Sequence, residues 1–250
     1  MFEFRFYSVA SGRMASELAL VHDMAIAGAP DVEGGPPVHA ETLWERYGVP
    51  KPVGSWTTVA GSDMPGFLYI MKWPSMAERD ARFPKFWADP FWRARRSQLT
   101  DGMPLVDSIE NWILNPLSCW TTLRDTGSET EVGGLHELRV QDILNGSQAE
   151  AADTLATVDL PIARDHGARL LGLFEVTLGP ARPRFVTLLA WPDADAQFDA
   201  ARSIDSHPEI LAARARERDR HGRRLFARTR HHLLDPVSWN APAPNLGEPG

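Results

Sequence analysis

Several features are scarce or absent in this 250-residue sequence, and each absence removes a class of protein. A single cysteine, Cys119, excludes a disulfide within the chain and fits a reducing compartment. No apolar run approaches the roughly 18 residues that a membrane-spanning helix needs, so we expect no membrane partner. The first residues lack a basic region followed by an apolar one, so we expect no secretory signal and a cytoplasmic location.

Basic residues are also fewer than acidic residues. The formal net charge is −7, with 26 Lys and Arg residues against 33 Asp and Glu residues. A nucleic-acid-binding protein needs a basic face to neutralise phosphates, so we expect no nucleic-acid partner. The one basic stretch, residues 214–232, has its charges spaced as on a solvated helix.

Familiar catalytic signatures are missing as well. There is no Gly-rich phosphate loop before a helix, no serine in a nucleophile elbow and no cysteine beside a plausible base. The adjacent His231 and His232 would diverge in a strand, and no cysteine or carboxylate stands at ligand spacing from them. We therefore expect neither a metal nor a cofactor.

What the sequence does contain is an internal repeat. Trp73-Pro74 recurs as Trp191-Pro192, 118 positions later, and Pro90 recurs as Pro208 at the same spacing. The openings FEFR (2–5) and HELR (136–139) correspond, as do the endings ENWILNP (110–116) and RHHLLDP (230–236). Landmarks that recur in one order predict a tandem duplication.

The landmarks also set the predicted domain boundaries. We predict a first repeat over 1–118, a linker over 119–132, a second repeat over 133–237 and an irregular tail over 238–250. The first copy carries an additional segment, about 28–43, that is rich in Gly and Pro. A loop of this length in a compact domain is often a lid, so we expect it over a barrel mouth.

Each copy has the pattern of a strand, a helix, two strands, a helix and a final strand. FEFRFYSV alternates large apolar with polar residues, as a half-buried strand does, and the segment after Arg13 has helical spacing. The order β-α-β-β-α-β is the ferredoxin-like plan, so the predicted fold class is α+β. Such a unit leaves one sheet face bare, and we predict that the two antiparallel sheets pack into an α+β barrel around a cavity.

These residues carry a family resemblance. FEFRFY, VGSWTTVAG, WPSMAERDAR, ADPFWRA and ENWILNP resemble the NIPSNAP family of the dimeric α+β barrel superfamily, and the resemblance extends over both copies. Family members often carry a His-x-aromatic pair on the third strand, where this sequence has Tyr69 and Met71. The superfamily includes cofactor-free monooxygenases, isomerases, polyketide cyclases and haem enzymes, so the resemblance implies the barrel rather than one reaction, and a homodimer stays open.

Strand alternation assigns one face of each strand to the cavity, on the assumption that large apolar side chains pack under the helices. Phe2, Phe4, Phe6, Trp56, Phe174 and Val176 then lie under the helices. The side chains directed into the barrel are Glu3, Arg5, Tyr7, Tyr69, Met71, Glu137, Arg139, Gln141, Glu175 and one of His231 and His232. Trp112 could face either way.

From the inward set we predict catalytic and binding roles. Glu175, His231 and His232 are the candidate acid–base residues, and Glu175 is expected to have a raised pKa because no Arg lies two residues away on its strand. The candidate substrate-binding residues are Tyr7, Tyr69, Arg5, Arg139, Glu137 and Trp112. An alternative stays open in which Glu3–Arg5 and Glu137–Arg139 are structural ion pairs.

The function that these residues favour is a cofactor-independent enzyme. It would act on a small apolar, aromatic or polyketide-like metabolite by acid–base chemistry, as an isomerase, cyclase, lyase or monooxygenase. The alternatives are a non-catalytic module that binds a small ligand or a protein, and a haem enzyme with His231 or His232 as the axial ligand.

Overall fold

A closed eight-stranded barrel contains every strand that the structure describes. The computed structural model describes residues 1–26, 41–62, 64–123 and 134–240. The barrel order is β1-β3-β2-β8-β5-β7-β6-β4. The strands are β1 (Phe2–Val9), β2 (Pro52–Ala60), β3 (Gly66–Lys72), β4 (Val106–Pro116), β5 (Leu135–Ile143), β6 (Arg169–Leu178), β7 (Arg184–Trp191) and β8 (Phe226–Pro236).

The two copies contribute four strands each with the same connectivity. In the first copy, β1 pairs antiparallel with β3 and β4, and β2 pairs with β3. In the second copy, β5 pairs with β7 and β8, and β6 pairs with β7. The predicted α+β class, with tandem ferredoxin-like repeats whose sheets form one barrel, is confirmed.

The copies join along two equivalent seams. β2 of the first copy pairs with β8 of the second, and β4 pairs with β6. Trp56 lies opposite Pro236 at one seam, and its counterpart Phe174 lies opposite Pro116 at the other. Because each seam uses an edge strand from each copy, neither copy retains an unpaired edge.

Helices cover the outside of the sheet. They are α1 (Met14–Ala25), α2 (Leu43–Arg46), α3 (Met76–Trp87), α4 (Pro90–Thr100), α5 (Trp120–Leu123), α6 (Gln148–Thr154), α7 (Leu160–Asp165), α8 (Ala194–Asp205) and α9 (Pro208–His221). A π-helical segment, Leu155–Asp159, joins α6 to α7. No helix within the described ranges has the length and apolar character needed to cross a membrane.

The repeated prolines mark helix starts. Pro90 and Pro208 are each the first residue of a helix, α4 and α9, where the missing N–H costs no helical hydrogen bond. Asp89 and His207 precede them and cap the first turn through their side chains. The recurrence at 118 positions therefore reflects a repeated helix boundary.

Three predicted boundaries stay untested. The segment 28–43 falls largely outside the described residues, since only 41–43 are described and Leu43 begins α2. Most of the predicted linker 119–132 and of the tail 238–250 also lies outside them. The lid expected over the barrel mouth therefore stays a prediction.

Large apolar side chains fill the barrel interior, which reverses the predicted facing of the strands. Phe2 and Phe4 contact Phe174 across the barrel, with ring centroids 5.0 and 5.2 Å apart, and Trp56 is buried in the same core. The barrel interior is enclosed by sheet on all sides and supplies few partners for charges. Apolar residues therefore point inward, and the alternate polar residues point toward the helices.

A buried hydrogen bond links β2 of the first copy to β5 of the second. Trp56 Nε1 donates to His136 Nδ1 at 2.8 Å, and both residues are at most 1% exposed. We expect Trp56→Phe to lower the free energy of unfolding by about 2 kcal/mol, because it leaves a void and an unpaired buried nitrogen. Denaturant unfolding at pH 7 measures this. Trp87→Phe, at a half-exposed position, is the control and should cost much less; equal losses would contradict the prediction.

Candidate functional site

The predicted Glu–Arg pairs lie on the helix side of the sheet, and their placement inside the barrel was wrong. Glu3 is fully buried and accepts hydrogen bonds from Arg5 Nη1 at 2.8 Å, Trp73 Nε1 at 2.9 Å and Arg79 Nη2 at 2.8 Å. Burial alone would raise the pKa of Glu3, but the hydrogen bond from Arg79 and the charges of Arg5 and Arg79 lower it. A buried carboxylate needs such donors, and α3 supplies Arg79 only on this side.

The second copy repeats this arrangement. Glu137 is fully buried and accepts from Arg139 Nε and Trp191 Nε1, both at 2.9 Å. His231 Nδ1 lies 2.6 Å from Glu137 Oε1. Burial alone would raise the pKa of Glu137, but the Arg139 charge and the hydrogen bond with His231 lower it to about 2. The geometry of both clusters matches the ion-pair alternative.

In the first copy the helix side also contains a cavity of about 440 Å³, enclosed by the sheet, α1, α2, α3 and α4. Its polar side chains come from β1, β3, α1 and α4: Arg5, Tyr7, Tyr69, Glu17, Arg96 and Thr100. Its apolar walls include Leu20, Val21, Met24, Trp44, Phe83, Phe86 and Trp92. A cavity of this size with few polar groups is typical of small-ligand sites.

Three of the predicted binding residues meet in this helix-side cavity. Arg5 donates to the Tyr7 hydroxyl through Nε at 3.2 Å and Nη2 at 3.1 Å. The Tyr7 and Tyr69 hydroxyl oxygens are 2.9 Å apart. Burial raises the pKa of Tyr69 well above its usual value, although the Arg5 charge opposes the rise. Tyr69 therefore keeps its proton and can donate a hydrogen bond.

Glu17 is the carboxyl group of the same cavity. It lies on α1, is 4% exposed and lines the cavity with Tyr7 and Tyr69. Burial raises its pKa to about 7, although the charges of Arg96 and Arg5 act in the opposite direction. A carboxyl group with this pKa is present in both protonation states near neutral pH, which suits a general base.

Sequence reasoning missed Glu17, although a signal for it was present. Glu17 stands at positions i, i+3, i+4 and i+7 with Leu20, Val21 and Met24, all three of which are buried. This spacing places the carboxyl group on the buried face of an amphipathic helix. A charged residue on such a face is an exception that points to an ion pair or a site.

The second copy lacks the equivalent polar groups. The positions that correspond to Tyr7, Tyr69 and Glu17 hold Gln141, Thr187 and Ala151, respectively. Ala151 is fully buried beneath the sheet, and Asp159 of the π-helical segment is bound by Arg214 Nη2 at 2.7 Å. The candidate site thus belongs to the first copy.

The other predicted site residues lie elsewhere. Glu175 is half-buried on the outer face beside Asn115, so its predicted position in the cavity was wrong; its neighbour Phe174 takes the inward position. His231 also faces outward, toward Glu137, whereas His232 lines a second cavity at a barrel mouth. Trp112 lines that second cavity too. Alternation on β8 separates the two histidines, as expected for neighbours in a strand.

Comparison with known families identifies part of the chain. Residues 39–120 match the NIPSNAP family model. The match is to this part of the chain, and the second repeat lies outside it. The matched residues include β2, β3, α2, α3 and α4, which supply Tyr69, Trp44, Phe83 and Trp92 to the cavity. No curated protein matches the sequence with significance.

Several solved structures are similar to this chain. A candidate monooxygenase from Fusobacterium nucleatum is similar over 95% of this chain and 92% of its own, with a TM-score of 0.52 and 10% identity. An anthrone oxidase-like protein covers 94% of this chain and 90% of its own, with a TM-score of 0.51 and 17% identity. A NIPSNAP domain protein from Burkholderia xenovorans covers 42% of this chain and 95% of its own, with a TM-score of 0.35 and 20% identity. The first two similarities show a shared fold.

The raised pKa of Glu17 predicts a pH-dependent cost to stability. The folded pKa of about 7 exceeds the ordinary value of 4.5, so the carboxyl group destabilises the fold increasingly from about pH 4.5 to pH 7. We expect Glu17→Gln to raise the free energy of unfolding by up to about 3 kcal/mol at pH 8 and by much less at pH 5. Denaturant unfolding at both pH values tests this, with Glu175→Gln as control. An equal effect at both pH values would refute it.

Glu137 should show the opposite dependence. Its folded pKa of about 2 lies below 4.5, so its contribution to stability is complete above about pH 4.5 and is lost as the pH falls toward 2. We expect Glu137→Gln to lower the free energy of unfolding by about 3 kcal/mol at pH 7 and by less than half of that at pH 3. Denaturant unfolding at pH 7 and at pH 3 measures this change in the free energy of unfolding. A loss that does not shrink in acid would show that the carboxylate charge is not the stabilising feature.

Proposed function

We propose that the protein is a cofactor-independent enzyme that removes a proton from a small apolar, aromatic or polyketide-like metabolite in the helix-side cavity. The observation that carries this proposal is the position of Glu17, a buried carboxyl group with a pKa of about 7, in one cavity with Arg5, Tyr7 and Tyr69. A base and a set of hydrogen-bond donors around an apolar volume are the two components that such a reaction requires.

In the proposed step, the ionised Glu17 carboxylate takes a proton from a C–H group next to a carbonyl group of the substrate. The electron pair of that bond moves to the carbonyl oxygen, and an enolate forms. Glu17 becomes neutral, which burial favours. The protonated Glu17 can later return the proton to another carbon, which completes an isomerisation, or the enolate can proceed to cyclisation, elimination or reaction with dioxygen.

The enolate oxygen would be stabilised by the tyrosine hydroxyls. Tyr7 and Tyr69 are hydrogen-bonded to each other, and Tyr7 accepts two hydrogen bonds from Arg5. These two bonds draw electron density from the Tyr7 oxygen and make its O–H a better donor. Arg5 is itself 6% exposed and held by Glu3, so the cluster is fixed before the substrate binds.

The cavity walls favour a flat, apolar substrate. Trp44, Phe86 and Trp92 present aromatic rings to the cavity, and the Arg96 guanidinium lies 5.2 Å from the Trp92 ring centre. Aromatic walls stack well against planar rings. One of the structures with this fold is an anthrone oxidase-like protein, which supports an aromatic ketone as the first substrate to test.

Exchange of the anthrone methylene protons in deuterated buffer, followed by NMR, tests the proton-removal step directly. We expect the protein to accelerate this exchange, with a rate that increases with pH around 7 as Glu17 ionises. Glu17→Gln should lower the catalysed rate about a hundredfold or more.

Glu175→Gln is the matched control, because Glu175 is a carboxylate of the same chain on the outer face of the sheet. It should exchange at the parent rate. If Glu17→Gln also retained the parent rate, Glu17 would not be the base. If Glu175→Gln lost as much activity as Glu17→Gln, the loss would not be specific to Glu17.

A further inference from the structure

A second cavity opens at one mouth of the barrel and has no part in the proposed proton transfer. Its volume is about 450 Å³. The inner part is apolar and includes Phe6, Leu68 and Leu138. Toward the mouth, polar groups line the wall, among them Arg184 and Arg230. The sheet lies between this barrel-mouth cavity and the helix-side cavity: Trp112 lines the first and Trp44 the second, and Tyr7 of β1 borders both.

Arg184 is a buried cation at the edge of the apolar part. It is 4% exposed, and its Nε donates to Asp142 Oδ1 at 2.7 Å. Its guanidinium lies 5.1 Å from the Trp112 ring centre, which holds the group in place. Among the described residues, no hydrogen bond is made by its Nη1 or Nη2, although a guanidinium offers donors on both.

Arg230 adds a second positive charge beside the first. Its Nη2 lies 3.3 Å from the same Asp142 oxygen. Burial lowers the pKa of Arg230, and the neighbouring Arg184 lowers it further, while Asp142 and Glu110 oppose both effects. Two guanidinium groups thus share one carboxylate, and the inner wall retains one unit of positive charge. The exposed Glu110 also lines the cavity, whereas the exposed Arg228 of the same strand as Arg230 is not among its lining residues.

We propose that the barrel-mouth cavity binds a small amphipathic monocarboxylate, with the carboxylate on Arg184 and Arg230 and the apolar body against Phe6, Leu68 and Leu138. A planar carboxylate matches the fork of a guanidinium and would take the Nη donors of Arg184. One negative charge matches the single surplus charge of the Asp142–Arg184–Arg230 group, and the Glu110 carboxylate in the same cavity disfavours a second. The volume is within the range of small-ligand cavities.

Trp112 gives this site a local signal. Its indole Nε1 donates to Glu110 Oε2 at 3.1 Å, and its ring contacts Phe6 with centroids 4.6 Å apart. A ligand placed between Phe6 and Arg184 would change the surroundings of the Trp112 ring. The tryptophans of the helix-side cavity, Trp44 and Trp92, would not sense it.

Calorimetric titration with octanoate and with 1-octanol separates the anionic from the apolar contribution. We expect octanoate to bind at least tenfold more tightly than octanol. Arg230→Gln should weaken octanoate binding about ten- to a hundredfold and leave octanol binding nearly unchanged. Arg228→Gln, at an exposed position of the same strand, is the matched control and should weaken octanoate less than threefold. Near-UV circular dichroism verifies that each variant is folded.

Fluorine NMR of protein labelled with 5-fluorotryptophan locates the ligand. Octanoate should shift the Trp112 resonance, which Trp112→Phe identifies, and leave those of Trp44 and Trp92 in place. Equal affinity for octanoate and octanol, equal effects of Arg228→Gln and Arg230→Gln, or a shift at Trp44 instead of Trp112 would each overturn the proposal. Octanoate binding by Glu17→Gln should match the parent, so this result stands or falls independently of the proton-transfer activity.

Discussion

Closure of the barrel is the constraint on which the rest of the structure depends. A single four-stranded sheet with helices on one face leaves its other face and its edge strands uncovered. Here the bare faces of two copies meet, and the seams β2–β8 and β4–β6 pair their edges. The interior produced in this way is sealed by sheet all around, so it is filled by Phe2, Phe4, Phe174 and their neighbours.

The position of the charged groups follows from that closure. Since alternate residues of a strand point to opposite faces, filling the barrel with the phenylalanines of β1 sends Glu3 and Arg5 toward the helices. On that side Trp73 and Arg79 provide the remaining hydrogen bonds for the carboxylate. Arg5 is fixed as a result, and it in turn holds the hydroxyl of Tyr7. The candidate site is thus built on an ion pair that the barrel could not accommodate.

The two copies keep this ion pair and differ in what surrounds it. Glu3 and Glu137 are both fully buried and both bound by a tryptophan indole and an arginine. Only the first copy adds a tyrosine pair facing a buried carboxyl group. In the second copy Ala151 takes the position of Glu17, and the buried Asp159 is bound by Arg214. The shared part therefore serves the fold, and the part unique to the first copy is available for chemistry. Duplication allows this, because the second copy maintains the barrel regardless of the changes in the first.

Much of the architecture could be predicted from the sequence alone. The recurrence of Trp73-Pro74 and Pro90 at a fixed spacing, and the alternation within each strand, determined the duplication, the element order and the barrel. These features depend on residues that are close together in the sequence, so each can be recognised from the sequence alone. The sequence also named Arg5, Tyr7 and Tyr69 among six candidate binding residues, and the structure brings these three together because β1 pairs with β3 and places Arg5 opposite Tyr69.

Only the tertiary structure decided which face of the sheet is the inside. A period of two in the sequence shows that the two faces of a strand differ. In this barrel, however, both faces are buried, one by helices and the other by the second copy. In β3, for example, every residue except Lys72 is buried. Composition cannot then rank the faces, and the assignment of Glu175 to the cavity was wrong for this reason. The Asp142–Arg184–Arg230 group was missed because its members come from three different strands. The sequence determined which residues share a face; the packing of one copy on the other determined where that face points.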